Sequence, residues 1–207
     1  MGSFALVARR AFLGFIVAGL SFTAVRAGNP DAEAFAQRLA DEGVAILKDT
    51  ADPNRRAKFR DFVTQYADAR RTAQFTLGAY WRTTSEPERE AFIQAFKDFA
   101  TAVYESRLDQ YRGQTLKVTG SLENKPGDIT VNTIIVDPNA RQPIRVAFRL
   151  LGGGGAYRFV DIQVEGIWLS IDQRDQFAAF LSQHGGSVPA LTAHLQRQAQ
   201  QIMAGGR

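Results

Sequence analysis

The chain has 207 residues, of which 45% are apolar and 22% charged, and it contains no cysteine. This length suits one domain with its own core, and the lack of cysteine excludes a disulfide framework, a thiolate metal site and a cysteine nucleophile. The formal net charge of +4 includes Arg9, Arg10 and Arg26, whereas residues 1–27 contain no acidic residue. Residues 28–207 are therefore nearly neutral at +1, and their bulk charge gives no reason to expect a nucleic-acid partner.

The first 27 residues have the three parts of an export signal. Arg9 and Arg10 precede a 15-residue apolar run over 11–25, and small residues at Val25 and Ala27 fit the positions that a signal peptidase reads. The run is short for a membrane span, which needs about 20 residues. We predict an export signal over 1–27 and a single domain over 28–207. The pair Arg9-Arg10 also resembles a twin-arginine signal, so the export route stays open, as does the alternative of an uncleaved anchor.

The next part of the chain has helical periodicity. Asn29 and Pro30 are typical of a helix start, and a break at Asp52-Pro53 separates a second helix. A short third helix follows, and Ser85 and Glu88 have the spacing of a capping box, which predicts a long fourth helix. The apolar residues that share one face of this long helix are Phe92, Phe96, Phe99 and Val103.

After Gly113 the apolar period changes from helical to alternating, which is typical of strands. We predict four strands, around 116–122, 129–136, 144–150 and 157–165, joined by turns rich in Gly, Pro, Asn and Asp. Short connections make antiparallel neighbours. Two helices follow, the first with Asp172 as a candidate cap. The predicted fold is α+β, with a four-stranded antiparallel curved sheet covered on one face by helices from both ends of the chain.

The candidates for catalysis and metal binding are weak. His184 and His194 have no second ligand at metal spacing. Asp161 and Glu165 are four residues apart on a strand and so about 13 Å apart, too far for a carboxylate pair. The glycines of 152–155 lie between two strands with no helix after them, unlike a phosphate-binding loop. We therefore predict no catalytic residue, no metal site and no cofactor.

Two features of the surface and core remain open from the pattern alone. The doublets Arg55-Arg56 and Arg70-Arg71 lie among acidic residues, which favours a mixed solvated face over a docking patch for an acidic partner. The many aromatic residues on helix faces fit an ordinary filled core, but a helix layer over a curved sheet can also enclose a small-molecule cavity. Periodicity does not separate these two possibilities.

Strings of residues spread over most of 77–195 resemble the MlaC family of periplasmic phospholipid-binding proteins, also known as toluene-tolerance auxiliary components. The resemblance implies a soluble periplasmic carrier that is not an enzyme. It would hold a phospholipid by its acyl chains in a hydrophobic pocket between sheet and helices, and shuttle it between an outer-membrane lipoprotein complex and an inner-membrane ABC-transporter complex. The strings include Trp81-Arg82-Thr83, Ser85-Glu86-Pro87-Glu88-Arg89, Tyr111-Arg112-Gly113-Gln114-Thr115, Val136-Asp137-Pro138-Asn139, Pro143-Ile144-Arg145-Val146-Ala147-Phe148 and Asp161-Ile162-Gln163-Val164-Glu165-Gly166-Ile167.

One departure from the family pattern suggests a different cargo. The family commonly has Gly-Val-Ser where this chain has Gly166-Ile167-Trp168. An indole in the pocket would offer a flat face to a rigid polycyclic lipid, and the family includes proteins associated with hopanoid synthesis. A hopanoid-type lipid is therefore an alternative cargo. The simpler interpretation is that Trp168 faces outward or fills a gap.

The predicted lipid-binding residues combine the resemblance with the facing pattern, and a register error of one residue would move a whole strand set to the other face. The predicted lipid-binding residues are Leu77, Trp81, Phe96, Phe99, Val103, Tyr104, Val146, Phe148, Ile162, Val164, Ile167 and Trp168.

Two other functions stay open. One is a small enzyme acting on a hydrophobic substrate, for which Asp161 is the candidate group, and the other is an adaptor with a solid core.

Overall fold

The computed structural model describes residues 28–205, so the predicted export signal over 1–27 lies outside the described residues. The described part of the chain contains six α-helices, five strands and two short 3-10 helices, at Gly78–Arg82 and Leu108–Gln110. The helices are α1 (Pro30–Lys48), α2 (Arg55–Tyr66), α3 (Ala69–Leu77), α4 (Glu86–Glu105), α5 (Leu169–Gln183) and α6 (Val188–Gly205). The strands are β1 (Thr115–Lys125), β2 (Asp128–Val136), β3 (Ile144–Gly153), β4 (Ala156–Val164) and β5 (Ile167–Trp168).

The helix starts agree with the sequence at two predicted caps. The Asn29 side chain accepts a hydrogen bond from the Ala32 backbone N–H at 3.0 Å, with Pro30 in the first turn of α1. At the start of α4 the Glu88 side chain accepts from the Ser85 backbone N–H at 3.1 Å, which completes a capping box. Each cap satisfies backbone donors that the helix itself leaves unpaired, so both helices begin where the pattern predicts.

The strands form one antiparallel sheet in the order β1-β2-β3-β4-β5, which confirms the α+β class. The sheet has five strands rather than four. Glu165 and Gly166 both have positive φ, 47° and 88°, and turn the chain back so that Ile167 pairs with Val164. A two-residue turn of this kind suits the twist of paired strands. Since β5 has only two residues before α5 begins, its alternation is too short to be seen in the sequence.

The pairing register sorts the strand side chains onto two faces. Val146, Phe148 and Leu150 of β3 share one face, because strand side chains alternate. Phe148 is opposite Ile162 of β4, and Val146 is opposite Val164. Helix α1 packs across this face, against β1, β2 and β3. We refer to it as the helix-covered face of the sheet.

The core divides into two groups of buried side chains. Helix α6 packs mainly against α4, and α5 against α3, so the C-terminal helix joins a helical layer rather than lying over the sheet beside α1. The helical cluster is Ala73, Leu77, Phe92, Ile93, Ala95, Phe96, Phe177, Leu181, Val188, Leu191 and Leu195. The sheet cluster is Ala32, Phe35, Ala36, Ile129, Val131, Leu150 and Tyr157. Over residues 28–205, no helix combines the length and the apolar character that crossing a membrane requires.

Candidate functional site

An apolar cavity of about 220 Å³ lies between α1, α2, the end of α4 and the helix-covered face of the sheet. An apolar cavity of about 150 Å³ is already large enough to stay dry and bind a small hydrocarbon. The lining residues are Ala36, Leu39, Ala40, Gly43, Val44, Leu47, Phe59, Phe62, Val63, Tyr104, Leu116, Phe148, Leu150, Phe159 and Ile162. The lining is almost entirely apolar, so the cavity is suited to a hydrocarbon guest.

Small residues along α1 create the space. Ala36, Ala40 and Gly43 follow one another at steps of four and three, so they share one face of the helix. A Cβ atom added at Gly43 would lie 3.4 Å from the ring of Phe62 on α2, which is ordinary contact distance. The small residues thus leave space unfilled between α1 and the sheet, while α1 and α2 stay in contact at Gly43 and Phe62.

The apolar side chains of α2 are only half-buried. Phe59, Phe62, Val63 and Tyr66 share the inward face of α2, yet none of them is fully buried. In a filled core such side chains would be close-packed on all sides. Their partial burial is what a helix over a cavity produces.

Ion pairs hold α2 in place where apolar packing is incomplete. Arg60 donates to the buried carboxylate of Glu105 at 2.8 Å, and Arg55 donates to Asp109 at 2.7 Å. Both carboxylates lie at or just after the end of α4, so they fix the start and middle of α2 against that helix. The Glu105 carboxylate is nearly out of water, so removal of Arg60 would leave a buried charge without its partner, which is costly.

Among the described residues that line the cavity, Tyr104 alone has a polar atom in its side chain. Burial raises the pKa of its phenol, the negative charge of Asp161 raises that pKa further, and Arg107 opposes the shift. The phenol is therefore neutral at physiological pH, and it is a hydrogen-bond donor at the cavity wall.

Comparison with known proteins gives a family match over most of the chain. The model of the MlaC protein family matches residues 37–197. The chain belongs to the MlaC family. A curated relative, the intermembrane phospholipid transport system binding protein MlaC of Haemophilus influenzae, is 25% identical over 156 residues, which cover 72% of this chain and 71% of the relative.

A solved structure supports the fold independently of the family model. The phospholipid-binding protein of Ralstonia solanacearum, determined in complex with a phospholipid, superposes with a TM-score of 0.72. The match covers 84% of this chain and 99% of that protein at 24% sequence identity. At this identity the likeness shows a shared fold. The α+β architecture found here is thus the MlaC-like fold.

Three of the twelve predicted lipid-binding residues line the cavity of this MlaC-family chain: Tyr104, Phe148 and Ile162. Val146 and Val164 are neighbours of Phe148 and Ile162 on the helix-covered face but do not line the cavity. Ile167 continues the same face at the end of the sheet, where 61% of its surface is exposed. These five sheet residues therefore share one face, and their role in lipid binding remains a prediction.

The structure places most of the other predicted residues elsewhere. Leu77 and Phe96 belong to the helical cluster, and Trp81 and Phe99 pack against it. Val103 is half-buried on α4 and does not line the cavity. A helical face that packs against other helices has the same apolar period as one that lines a cavity, so the pattern did not distinguish them.

Trp168 does not line the cavity either. It pairs with Gln163, which is opposite Ala147, so all three lie on the face of the sheet turned away from α1. Because strand side chains alternate, Ile167 lies on the helix-covered face of the sheet and Trp168 on the opposite face. The register thus agrees with the simpler of the two interpretations of this position.

A larger groove of about 800 Å³ lies on the surface beside α3, lined by Phe75, Trp81 and several arginines. The two arginines of the Arg70-Arg71 doublet are paired with carboxylates. Arg70 donates to Glu90 at 2.5 Å, and Arg71 donates to Asp68 at 3.3 Å. Paired charges on an open surface resemble the mixed solvated face that the sequence favours. The groove is a weaker candidate for an apolar ligand than the cavity.

The carboxylate of Asp161 organises the start of α5. It accepts hydrogen bonds from the backbone N–H groups of Ile162 and Ser170, at 2.9 and 3.0 Å, and from the Ser170 hydroxyl. Helix α5 consequently begins at Leu169, three residues before Asp172, and the prediction of Asp172 as its cap is wrong. The capping carboxylate comes from a strand, which no local motif reveals.

These contacts predict a structural role for Asp161. Replacing Asp161 with Ala is expected to lower the free energy of unfolding by about 1–2 kcal/mol, because a helix loses its capping acceptor. Lipid bound per folded molecule should not change, since the carboxylate does not line the cavity. Denaturant unfolding and lipid extraction measure both, with Asp172→Ala as the matched control on the same helix. Unchanged stability together with loss of a catalytic turnover would instead favour the enzyme alternative.

Proposed function

We propose that this protein is a periplasmic phospholipid carrier, which holds acyl chain in the cavity between α1, α2 and the sheet. The apolar lining of that cavity is the observation that carries the proposal. Membership of the MlaC family, a relative named as a phospholipid transport binding protein and a structural neighbour determined with a phospholipid all support it. The predicted export signal over 1–27 agrees with a periplasmic location.

The energetics of acyl-chain burial favour a carrier that keeps its lipid bound until it docks over a protein that releases lipid freely into water. Each buried CH₂ group contributes about 0.8 kcal/mol, so a 16-carbon chain contributes roughly 13 kcal/mol before other terms. A lipid held in this way leaves into water very slowly. Loading and release therefore take place in docked complexes, which we propose are an outer-membrane lipoprotein complex and an inner-membrane ABC-transporter complex.

The cavity must enlarge to take a whole chain. Its volume of about 220 Å³ is below the roughly 300–1,000 Å³ typical of ligand pockets. Helix α2 is the wall that can move, because its apolar side chains are only half-buried and each of its ion pairs to Glu105 and Asp109 has at least one exposed partner. We expect α2 to separate from the sheet as lipid enters, while α1 stays packed on it through Phe35.

A phospholipid is favoured over a hopanoid-type lipid as the cargo. The hopanoid alternative needs the Trp168 indole in the cavity, and the register puts that residue on the other face of the sheet. No observation in the described residues favours the enzyme or the adaptor. Asp161 is engaged with Ser170, and the core contains a cavity.

Purification followed by lipid analysis tests the proposal. The full chain is expressed with its leader, the periplasmic and cytoplasmic fractions are separated, and the purified protein is examined by native mass spectrometry and solvent extraction. We expect the protein in the periplasmic fraction with about one phospholipid per molecule. Protein without extractable lipid, and without uptake from phospholipid vesicles, would overturn the proposal. A polycyclic lipid in the extract would support the hopanoid alternative instead.

A further inference from the structure

The cavity lining includes a polar group, the Tyr104 hydroxyl, that has no partner among the described residues. The half-buried Tyr104 lines the cavity among apolar neighbours, and no hydrogen bond joins its hydroxyl to another residue within 28–205. Two other tyrosines near this part of the core have acceptors. The Tyr66 hydroxyl donates to Glu42 at 2.9 Å, and the Tyr157 hydroxyl donates to Asn29 at 3.3 Å. Tyrosine hydroxyls inside a protein usually have a partner, and the hydroxyl of the half-buried Tyr104 is free to take one from a guest.

The surroundings of this phenol keep it a neutral donor. Burial and the charge of Asp161 both raise the pKa of Tyr104, and the guanidinium of Arg107 only partly offsets them. A neutral phenol donates one hydrogen bond and needs an oxygen acceptor that enters the cavity with the apolar guest. A pure hydrocarbon chain offers none.

We propose that the Tyr104 hydroxyl is a specificity-determining contact, which donates a hydrogen bond to an ester carbonyl oxygen of the bound lipid. The inference rests on the proposed function and adds a selection rule to it: ester-linked lipids bind more tightly than ether-linked lipids of the same chain length and headgroup. The ester carbonyl is the oxygen closest to the acyl chains, so it is the acceptor that an apolar cavity can admit. A phosphate would have to lose its water without a paired charge, which costs far more.

Competition between two matched lipids tests this selection rule. Delipidated full-length protein is incubated with equal amounts of dihexadecanoyl phosphatidylglycerol and its dihexadecyl ether analogue, and the bound ratio is read by native mass spectrometry. The loss of one neutral hydrogen bond predicts a preference of about two- to tenfold for the ester lipid. The variant Tyr104→Phe keeps the ring and should bind both lipids about equally. The control Tyr66→Phe, outside the cavity lining, should keep the preference of the wild type.

Each outcome of this competition decides between distinct claims. Equal binding by the wild type, or a preference that survives in Tyr104→Phe, overturns the ester contact while leaving the proposed function intact. A Tyr104→Phe variant that binds both lipids more weakly by the same factor also overturns it, because the hydroxyl would then contact a group common to both lipids. A folded Tyr104→Phe that binds neither lipid overturns a role limited to ester selection. A wild type that binds neither lipid overturns the proposed function itself.

Discussion

Replacing Ala40 with phenylalanine is expected to fill the cavity and to weaken phospholipid binding by roughly 100-fold. Ala40 lines the cavity from the middle of α1, and a phenyl ring there displaces about four methylene groups of a bound chain. At about 0.8 kcal/mol for each buried methylene, the loss is near 3 kcal/mol, which corresponds to roughly two orders of magnitude in affinity. Uptake of a fluorescent phospholipid from vesicles by the delipidated protein measures the change.

The same substitution should not destabilise the protein, which separates cavity filling from misfolding. A ring that occupies a void gains contacts, so the midpoint of thermal unfolding in the absence of lipid should stay equal or rise. Ala34→Phe is the matched control, because Ala34 lies on the exposed side of α1. The control should bind lipid like the wild type. Undiminished binding by a folded Ala40→Phe protein would refute the assignment of this cavity.

Truncating Phe92 to alanine is expected to have the largest effect on stability, with a loss of about 3–5 kcal/mol in the free energy of unfolding. Phe92 is fully buried in the helical cluster, where its ring packs edge-on against Phe177 with centroids 5.9 Å apart. It lies outside the cavity lining, so lipid bound per folded molecule should stay as in the wild type. Urea unfolding monitored by circular dichroism measures the first quantity, and lipid extraction the second.

Phe59→Ala provides the comparison for this stability experiment. Phe59 is the same residue type on a helix, but it is half-buried at the cavity wall. Truncation there removes fewer contacts and enlarges an existing void, so the stability loss should be clearly smaller than at Phe92. A larger loss at Phe59 than at Phe92 would mean that α2 packs on a solid core rather than over a cavity.

The sequence was sufficient for the six helices, for four of the five strands and for the facing of Val146 and Phe148. The capping box at Ser85, the Pro30 start and the alternation through Val146 and Phe148 all rest on local chemistry, which acts the same way wherever the helix or strand is later packed. Short turns made the strand order simple to predict, because each strand pairs with the next along the chain. The two-residue β5 was missed because it is too short to alternate.

The helical half of the site could not be predicted in the same way. Leu77 and Phe96 have the helical spacing and the family resemblance expected of cavity residues, yet they pack in the helical cluster. The walls come instead from α1 and α2, where the resemblance is weak. A signal was present in the small residues Ala36, Ala40 and Gly43 on one face of α1. A stripe of small residues can equally mark close helix packing, so only the tertiary arrangement distinguishes the two.

Photo-crosslinking of a bound lipid tests most directly whether the cavity between α1, α2 and the sheet holds the acyl chain. A phospholipid with a diazirine halfway along one chain is bound to the delipidated protein and irradiated, and the labelled peptides are mapped by mass spectrometry. We predict label on cavity residues such as Val44, Phe62 and Phe148. Label confined to the helical cluster around Phe96, or to the surface groove around Trp81, would contradict this assignment.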